Sequence, residues 1–524
     1  MLGRCSRAGL SSSSSFVVAH RRYRHDSSGR NNNVLQTSVA IVGAGINGLA
    51  TAYYLAKNHG ISDILTLDSL SQPMSFTSAQ SGENYRNWWP HPIMTTFSNR
   101  SLTLMEEIAR NSSNRIDMTR KGYLLATRDS KRADRILQQM LKIAEHDNTD
   151  DSSTSCPSTT IRIHDTATSN SYHVRPNTVN KQDGYWEQVP LGIDVLKNSK
   201  LIQDKYPQLD KDVHCLFHIR RAGDLNGHAL GMYMLDETKR MGGKILGNAH
   251  VVGMEKQANS YALNLQTNNS PTTRTSVVVL ANKVVNAAGP MAGQVGKIMG
   301  TGQLSGIIRN VFHQKVAFPD EAQVIPRNSP FAIDLDPQRL DWSPEERDAL
   351  LEDTNLAWLA QELPGNVHCR PDGPRGIKLG WAFESDESVP ELDFHQKNHS
   401  YLNPIFPEIV IRGASRLQPA LKAYYDNNNL LPRKHLAHYG GWYSMTEENW
   451  PLIGQASTIH GEDGIYVNCA PSGFGTMTAC AAGELCAAWV ADAELPEYAN
   501  ALSLNRYQDA ALMDTIRAMD KGLL

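Results

Sequence analysis

The densest chemistry in the sequence is a glycine cluster, Gly43-Ala44-Gly45-Ile46-Asn47-Gly48, followed 20 residues beyond Gly48 by an acid, Asp68. Glycines at this spacing have separate physical tasks. Gly43 permits a tight turn, Gly45 lets backbone approach a pyrophosphate, and Gly48 allows a helix to lie close on a strand. A helix starting there offers free N–H groups and the positive end of its dipole to phosphates. An acid at the distance of Asp68 accepts hydrogen bonds from adenosine ribose hydroxyls and disfavours a 2′-phosphate. The cluster therefore predicts a dinucleotide site that excludes NADP, while leaving FAD and NAD unseparated.

Such a cluster binds only if flanking elements hold it. Val39-Ala40-Ile41-Val42 is a continuous apolar run suited to a strand buried on both faces. Leu49, Tyr53 and Ala56 then recur at helical spacing, and Ile64-Leu65-Thr66-Leu67 predicts a second buried strand ending at Asp68. The whole chain has 524 residues, 51 Lys+Arg against 54 Asp+Glu, and a formal net charge of −3. That balance argues against a dedicated nucleic-acid binder. No run approaches the ~18 apolar residues of a membrane span. Seven scattered cysteines without a CxxC pair exclude a disulfide framework and the common zinc ribbons, and no HExxH metal spacing occurs.

Residues 1–30 hold six arginines, no lysine, a single acid (Asp26) and a serine run from Ser11 to Ser15. An Arg- and Ser-rich, acid-poor start predicts an organellar transit peptide and mitochondrial import. Asp147 to Thr160 is polar and of low complexity, which predicts an exposed insertion.

Three further segments carry a family resemblance. Ser75-Phe76-Thr77-Ser78-Ala79-Gln80-Ser81-Gly82-Glu83-Asn84-Tyr85-Arg86 resembles a polar loop that crosses a flavin ring. Val284-Val285-Asn286-Ala287-Ala288-Gly289-Pro290 resembles a strand-to-glycine return to a FAD domain. The ordered blocks Gly440 to Thr446, Pro451 to Gly454, Gly464 to Asn468 and Pro471 to Met477 are similar to a closing FAD-contacting block. Together they resemble the FAD-dependent oxidoreductases of the D-amino-acid oxidase and glycine or sarcosine oxidase superfamily. The resemblance implies an α/β fold: a Rossmann-type FAD-binding domain interleaved with an α+β substrate domain on a mostly antiparallel sheet. It implies FAD contacts at Gly43, Gly45, Gly48, Asp68, Ser78, Ala79, Gln80, Val251, Gly289, Gly473, Phe474, Gly475, Thr476 and Met477. Where some relatives attach the ring to Cys or His, this chain has Gly441-Trp442-Tyr443 and Ala79-Gln80-Ser81, so the expected FAD is non-covalent. The small-residue helix from Thr476 to Val490 would direct its N-terminus at the negative charge that develops on the reduced ring.

The same resemblance implies oxidation of the C–N bond of an amino acid or N-alkylated amine, with hydride passing to flavin N5. Oxygen or an electron-transfer acceptor would then reoxidise the flavin. A substrate carboxylate would want an arginine fork, for which Arg86 and Arg412 are the candidates. His313 is a candidate acid/base group, Trp442 and Tyr443 are candidates for the pocket wall, and Trp88-Trp89 is either a core plug or a lid. Sarcosine-oxidase-type relatives have lysine where this chain has Met477, which points to a larger or less acidic substrate. The expected domain layout is a leader and linker (1–36), FAD-binding segments (37–105, 220–295, 435–515) and substrate segments (106–219, 296–434). A second reading is a mitochondrial FAD-containing assembly factor, from the likeness of Arg120-Lys121-Gly122-Tyr123-Leu124-Leu125-Ala126 to flavoproteins that help build respiratory complexes. A NAD-dependent dehydrogenase is a third, disfavoured for want of a second GxGxxG.

Overall fold

The computed structural model describes residues 33–147, 160–167, 171–174, 189–270, 273–382, 391–392, 398–426, 430–456 and 463–518. The leader and most of the 147–160 insertion lie outside these residues. The apolar run becomes the strand Asn33–Val42, paired in parallel with Ile64–Leu67 on one side and Thr273–Asn286 on the other. A strand flanked by parallel neighbours has no solvated face, hence its unbroken apolar character. One face packs beneath the helices Ile46–His59 and Gly475–Val490, and the other joins an apolar cluster that runs across the same sheet through Val251, Leu263, Val279 and Val467 and includes Ala292 and Leu304.

The sheet has eight strands. Beyond Thr273–Asn286 the antiparallel strands Ser260–Ser270 and Ala249–Gln257 extend it, while Lys244–Leu246 pairs on the far side of Ile64–Leu67. The last residues of Thr273–Asn286 leave Ser260–Ser270 and pair in parallel with Ile465–Cys469, which in turn holds Leu452–Gln455. The carboxyl ends of the parallel strands, at Val42, Leu67 and Asn286, thus open on one edge, where ligands bind in sheets of this kind.

Among the described residues a second sheet has nine strands and is mostly antiparallel, with parallel pairing only between Tyr123–Thr127 and Phe331–Asp334 and between Ile161–His164 and Ile193–Leu196. The chain visits the two sheets alternately, so neither is built from one continuous stretch. A boundary differs from expectation here. Ala437–Met445, expected to open the last FAD-binding segment, is instead the edge strand of the second sheet, paired antiparallel with Arg309–Pro319. Its partner lies far back in the chain, so local pattern could not reveal its sheet. A short ribbon pairs Asn84–Arg86, at the end of the flavin-type loop, with Ala222–Asp224, near the start of the second FAD-binding segment. Among the described residues, no helix is long and apolar enough to cross a membrane.

Candidate active site

The glycine turn is shaped by contacts that a side chain would destroy. Gly43 has φ +114°, and a Cβ there would lie 2.2 Å from the Ala287 carbonyl oxygen. A Cβ on Gly48 would lie 1.9 Å from the Gly43 carbonyl oxygen. Gly48 therefore acts through packing and does not line the cavity. Below the turn runs a cavity of about 460 Å³, lined among others by Gly43, Gly45, Asp68, Ser78, Val251 and Gly289. Asp68 accepts from the Ala44 N–H at 2.7 Å and the Leu70 N–H at 2.8 Å, leaving each oxygen a further lone pair. Burial nevertheless raises its carboxyl pKa, since desolvation outweighs the two bonds.

The cavity continues inward through shared residues (Gly45, Thr77, Ser78, Gly289) into a space of about 100 Å³ that adds Gln80, Trp442, Tyr443, Gly473 and Thr476. Two elements meet there. The loop before the last core helix takes left-handed conformations at Ala470 (φ 50°), Ser472 (φ 51°) and Gly473 (φ 81°). A Cβ on Gly473 would sit 2.4 Å from the Tyr443 ring, so only glycine lets the loop lie on that tyrosine. The helix Gly475–Val490 follows, with Gly475 and Thr476 at the wall, and its first-turn N–H groups have no intrahelical acceptors. Ser81 and Thr476 join the two loops through a 2.8 Å hydroxyl pair.

Two buried polar atoms of residues on this wall, Asn47 Oδ1 and Thr77 Oγ1, lack a hydrogen-bond partner among the described residues. Buried polar groups rarely stay unpaired. Together with the glycine cradle and the helix N-terminus, they fit a long polar ligand with a diphosphate in its middle, at the glycine turn, and a ring at its inner end. Val251 lines the outer cavity.

Other expected contacts fall elsewhere. Ala79 does not line either space. Phe474 is in the core, its ring edge-on to Trp89 at 4.2 Å. Met477 is buried in the same core, so its side chain does not shape the substrate space and the size argument drawn from it falls. Trp89 is a core plug, while Trp88 lines a separate cavity.

The arginine candidates are likewise displaced. Arg412 sits in the helix Phe406–Ser415, bonded to Glu408 and Glu346 and stacked 4.1 Å from the Trp342 ring centroid, remote from the cavity walls. Arg86 is buried, donates to the Trp88 carbonyl at 3.2 Å, and packs over Trp89 and Tyr123. It lines a different cavity of about 310 Å³ with Trp88 and Arg132, not the one shared by Tyr443 and Gly473.

Tyr443 and His313 do come together, their ring centroids 4.3 Å apart. Burial, aided by Lys315, pushes the His313 imidazole down to about 3, so it is neutral at ordinary pH and a poor proton acceptor. That removes the physical basis for a general-base role. His368, also buried, is likewise pushed down to about 3. Lys315, which motif reading missed, is buried with its ammonium 3.4 Å from the Tyr443 hydroxyl. The available signal was strand alternation, which puts residues 313 and 315 on one face.

Nearby, Arg370 pairs with Asp372 at 3.0 Å and donates to the Gly82 carbonyl at 3.1 Å, and Lys378 pairs with Glu83 at 3.1 Å.

A sheet with a parallel core and a glycine turn at the carboxyl end of its central strand, meeting a mostly antiparallel sheet across the inner space, has the arrangement of a flavin-dependent oxidoreductase. The chain belongs to the DAO family of FAD-dependent oxidoreductases, whose sequence profile matches residues 38–489. No curated protein sequence matches it. Its fold is similar to that of L-proline dehydrogenase from P. horikoshii, with TM-score 0.61 and 17% identity over 91% of this chain and 98% of that one. Glycine oxidase from Geobacillus kaustophilus gives 0.60 and 14%, over 90% and 99%. L-amino acid deaminase from Proteus vulgaris gives 0.60 and 13%, over 94% and 100%. FAD is the cofactor of this family, and the residues described above fit it.

Proposed function

We propose that the protein oxidises the C–N bond of an amino acid or N-alkylated amine, using non-covalently held FAD. Bound FAD supplies a two-electron acceptor that takes hydride at ring atom N5. The substrate loses that hydride and an amine proton, and water hydrolyses the resulting imine. The single observation that carries the reading is the meeting, at the inner end of the cavity, of the Gly475–Val490 N-terminus with Tyr443, against which His313 and Lys315 are packed. The helix end would favour negative charge on a ring held beside Gly475 and Thr476, a contribution that grows as the ring takes up hydride. Tyr443 and Trp442 form a wall that orients the substrate and keeps water from its reacting carbon. A neutral His313 adds no competing charge, so the chemistry rests on binding the uncharged amine rather than on a strong base.

The amino-acid substrates named for the three structural neighbours support this class. The walls support non-covalent attachment: among the described residues neither space is lined by cysteine, and the one histidine, His250, borders the outer space. Mitochondrial localisation rests on the Arg-rich leader alone, and fractionation of cells expressing a tagged full chain tests it. The reaction is tested by anaerobic mixing of the holoprotein with a panel of N-alkylated and unmodified amino acids. At least one should bleach the flavin spectrum. If none does while dithionite still reduces the flavin, the oxidation reading fails and a role without turnover, such as assembly, takes its place.

A further inference from the structure

We infer that Lys315, assisted by the Tyr443 hydroxyl, is the anchor for the substrate carboxylate. The inference rests on the amino-acid reading above and deepens it by assigning the anion-binding group.

The strand Arg309–Pro319 pairs Val311 with Tyr443 and Lys315 with Tyr439 on one side, and Lys315 with Gly380 on the other. Directly paired residues share a face and alternate residues return to it. Val311, His313 and Lys315 therefore stand on the same face as Tyr443. Two glycines make room there. A Cβ on Gly82, which lines the ring-sized space, would lie 3.5 Å from Lys315 Cε, and one on Gly380 would strike His368 at 2.3 Å. The lysine stem thus runs beside the flavin-type loop, and its ammonium ends at a tyrosine of the cavity wall.

Its charge balance sets Lys315 apart from the other cations. Arg370 and Lys378 are neutralised by Asp372 and Glu83, and Arg412 by Glu346 and Glu408. Arg86 lies in another cavity. Lys315 has no carboxylate within ion-pair distance among the described residues, and its one hydrogen-bond partner there is neutral at 3.4 Å. A desolvated ammonium is costly without a counter-charge. The group that fits is an anion delivered through the cavity: a carboxylate, held by a charge-assisted bond from Nζ and a second from the tyrosine O–H. A lysine gives a point charge in place of the bidentate fork that the sequence led one to seek in arginine.

The test uses the FAD-loaded full chain titrated with acetate, a non-reacting carboxylate, followed by the shift in flavin absorption, with acetamide as the neutral isostere. Lys315→Met should weaken acetate roughly 10- to 100-fold and leave acetamide unchanged. Lys315→Arg should recover part of the loss, and Tyr443→Phe should weaken acetate several-fold. With a reducing amino acid, Lys315→Met should raise KM by a similar factor, and the KM of the matching decarboxylated amine should not move. Unchanged acetate affinity in Lys315→Met overturns the assignment, as does an acetate-insensitive wild type or a defect confined to reoxidation. Should Lys315→Met fail to load FAD, Lys315→Arg and Tyr443→Phe decide the matter, and undiminished acetate binding in Tyr443→Phe counts against it. The two readings fail separately. A wild type that binds acetate through Lys315 but is reduced by no amine sinks only the oxidation. A wild type that oxidises amino acids with a KM indifferent to Lys315→Met sinks only the anchor.

Discussion

Gly48 shows how much function one missing methyl can carry. The Cβ of Gly48→Ala would fall 1.9 Å from the Gly43 carbonyl oxygen, and backbone cannot rotate away as a flexible side chain would. The variant should emerge with little bound FAD, measured as flavin per protein, and with a lowered Tm that excess FAD only partly restores. His313 and His368 act in the opposite way, by staying uncharged. With both pushed down to about 3, kcat against pH should show no step from either imidazole near its ordinary value of about 6.5. A step at that pH abolished by His313→Gln would contradict this. The glycine turn was legible because its constraint is local: spacing alone fixes backbone geometry. Lys315 was not, because its importance comes from the carboxylate it lacks, and an absent partner leaves no motif. Arg86 and Arg412 drew attention for their residue type, yet their surroundings place one in another cavity and the other in an ion-paired helix.

Helix against helix, the central contact is between Ile46–His59 and Gly475–Val490. A Cβ on Gly483 would lie 2.5 Å from the backbone carbon of Ala50, so the two helices touch almost backbone to backbone. This explains the small residues of the second helix and fixes where its N-terminus points. Gly483→Ala should cost about 1–3 kcal/mol by overpacking, read from urea denaturation, with weaker FAD retention as a consequence. The helix Pro92–Asn111 is held through Glu106, which bonds both Arg120 and Arg221 in a buried setting. Their charges hold its carboxyl below the usual range against the pull of burial. Glu106→Ala leaves two buried guanidinium groups without their acid, and a loss of about 3–5 kcal/mol is expected in the same assay. Elements of this kind were readable where the pattern is unbroken, as in the two apolar runs that form the buried strands of the first βαβ unit. Ala437–Met445 escaped because Gly440-Gly441-Trp442-Tyr443 has no period to follow, and hydrogen bonds to Arg309–Pro319 decide its place.

Across the whole molecule, two sheets are threaded by one chain that returns repeatedly to each. Cooperative unfolding is the natural consequence, since no single stretch closes either sheet. Acid should be a particular weakness. His313 and His368 titrate near 6.5 when unfolded and at about 3 when folded, so between those values the unfolded chain binds more protons. Stability contributed by their neutral forms is therefore lost as pH falls through this window. Asp194, held well below the usual carboxylate range by Arg162, Arg220 and His164, adds a loss in the same direction at lower pH. The Tm should drop between about pH 7.5 and about pH 4.5, and substituting both histidines by glutamine should flatten that drop. The architecture was readable as a class from ordered glycine blocks, whereas the boundary between sheets was not, because it is drawn by distant pairing.

The most direct test is the absorption spectrum of the purified full chain before and after acid precipitation. The purified protein should be yellow, and its colour should pass entirely into the supernatant as intact FAD. A protein that is colourless and stays so after incubation with excess FAD, or whose colour remains with the pellet, would contradict it.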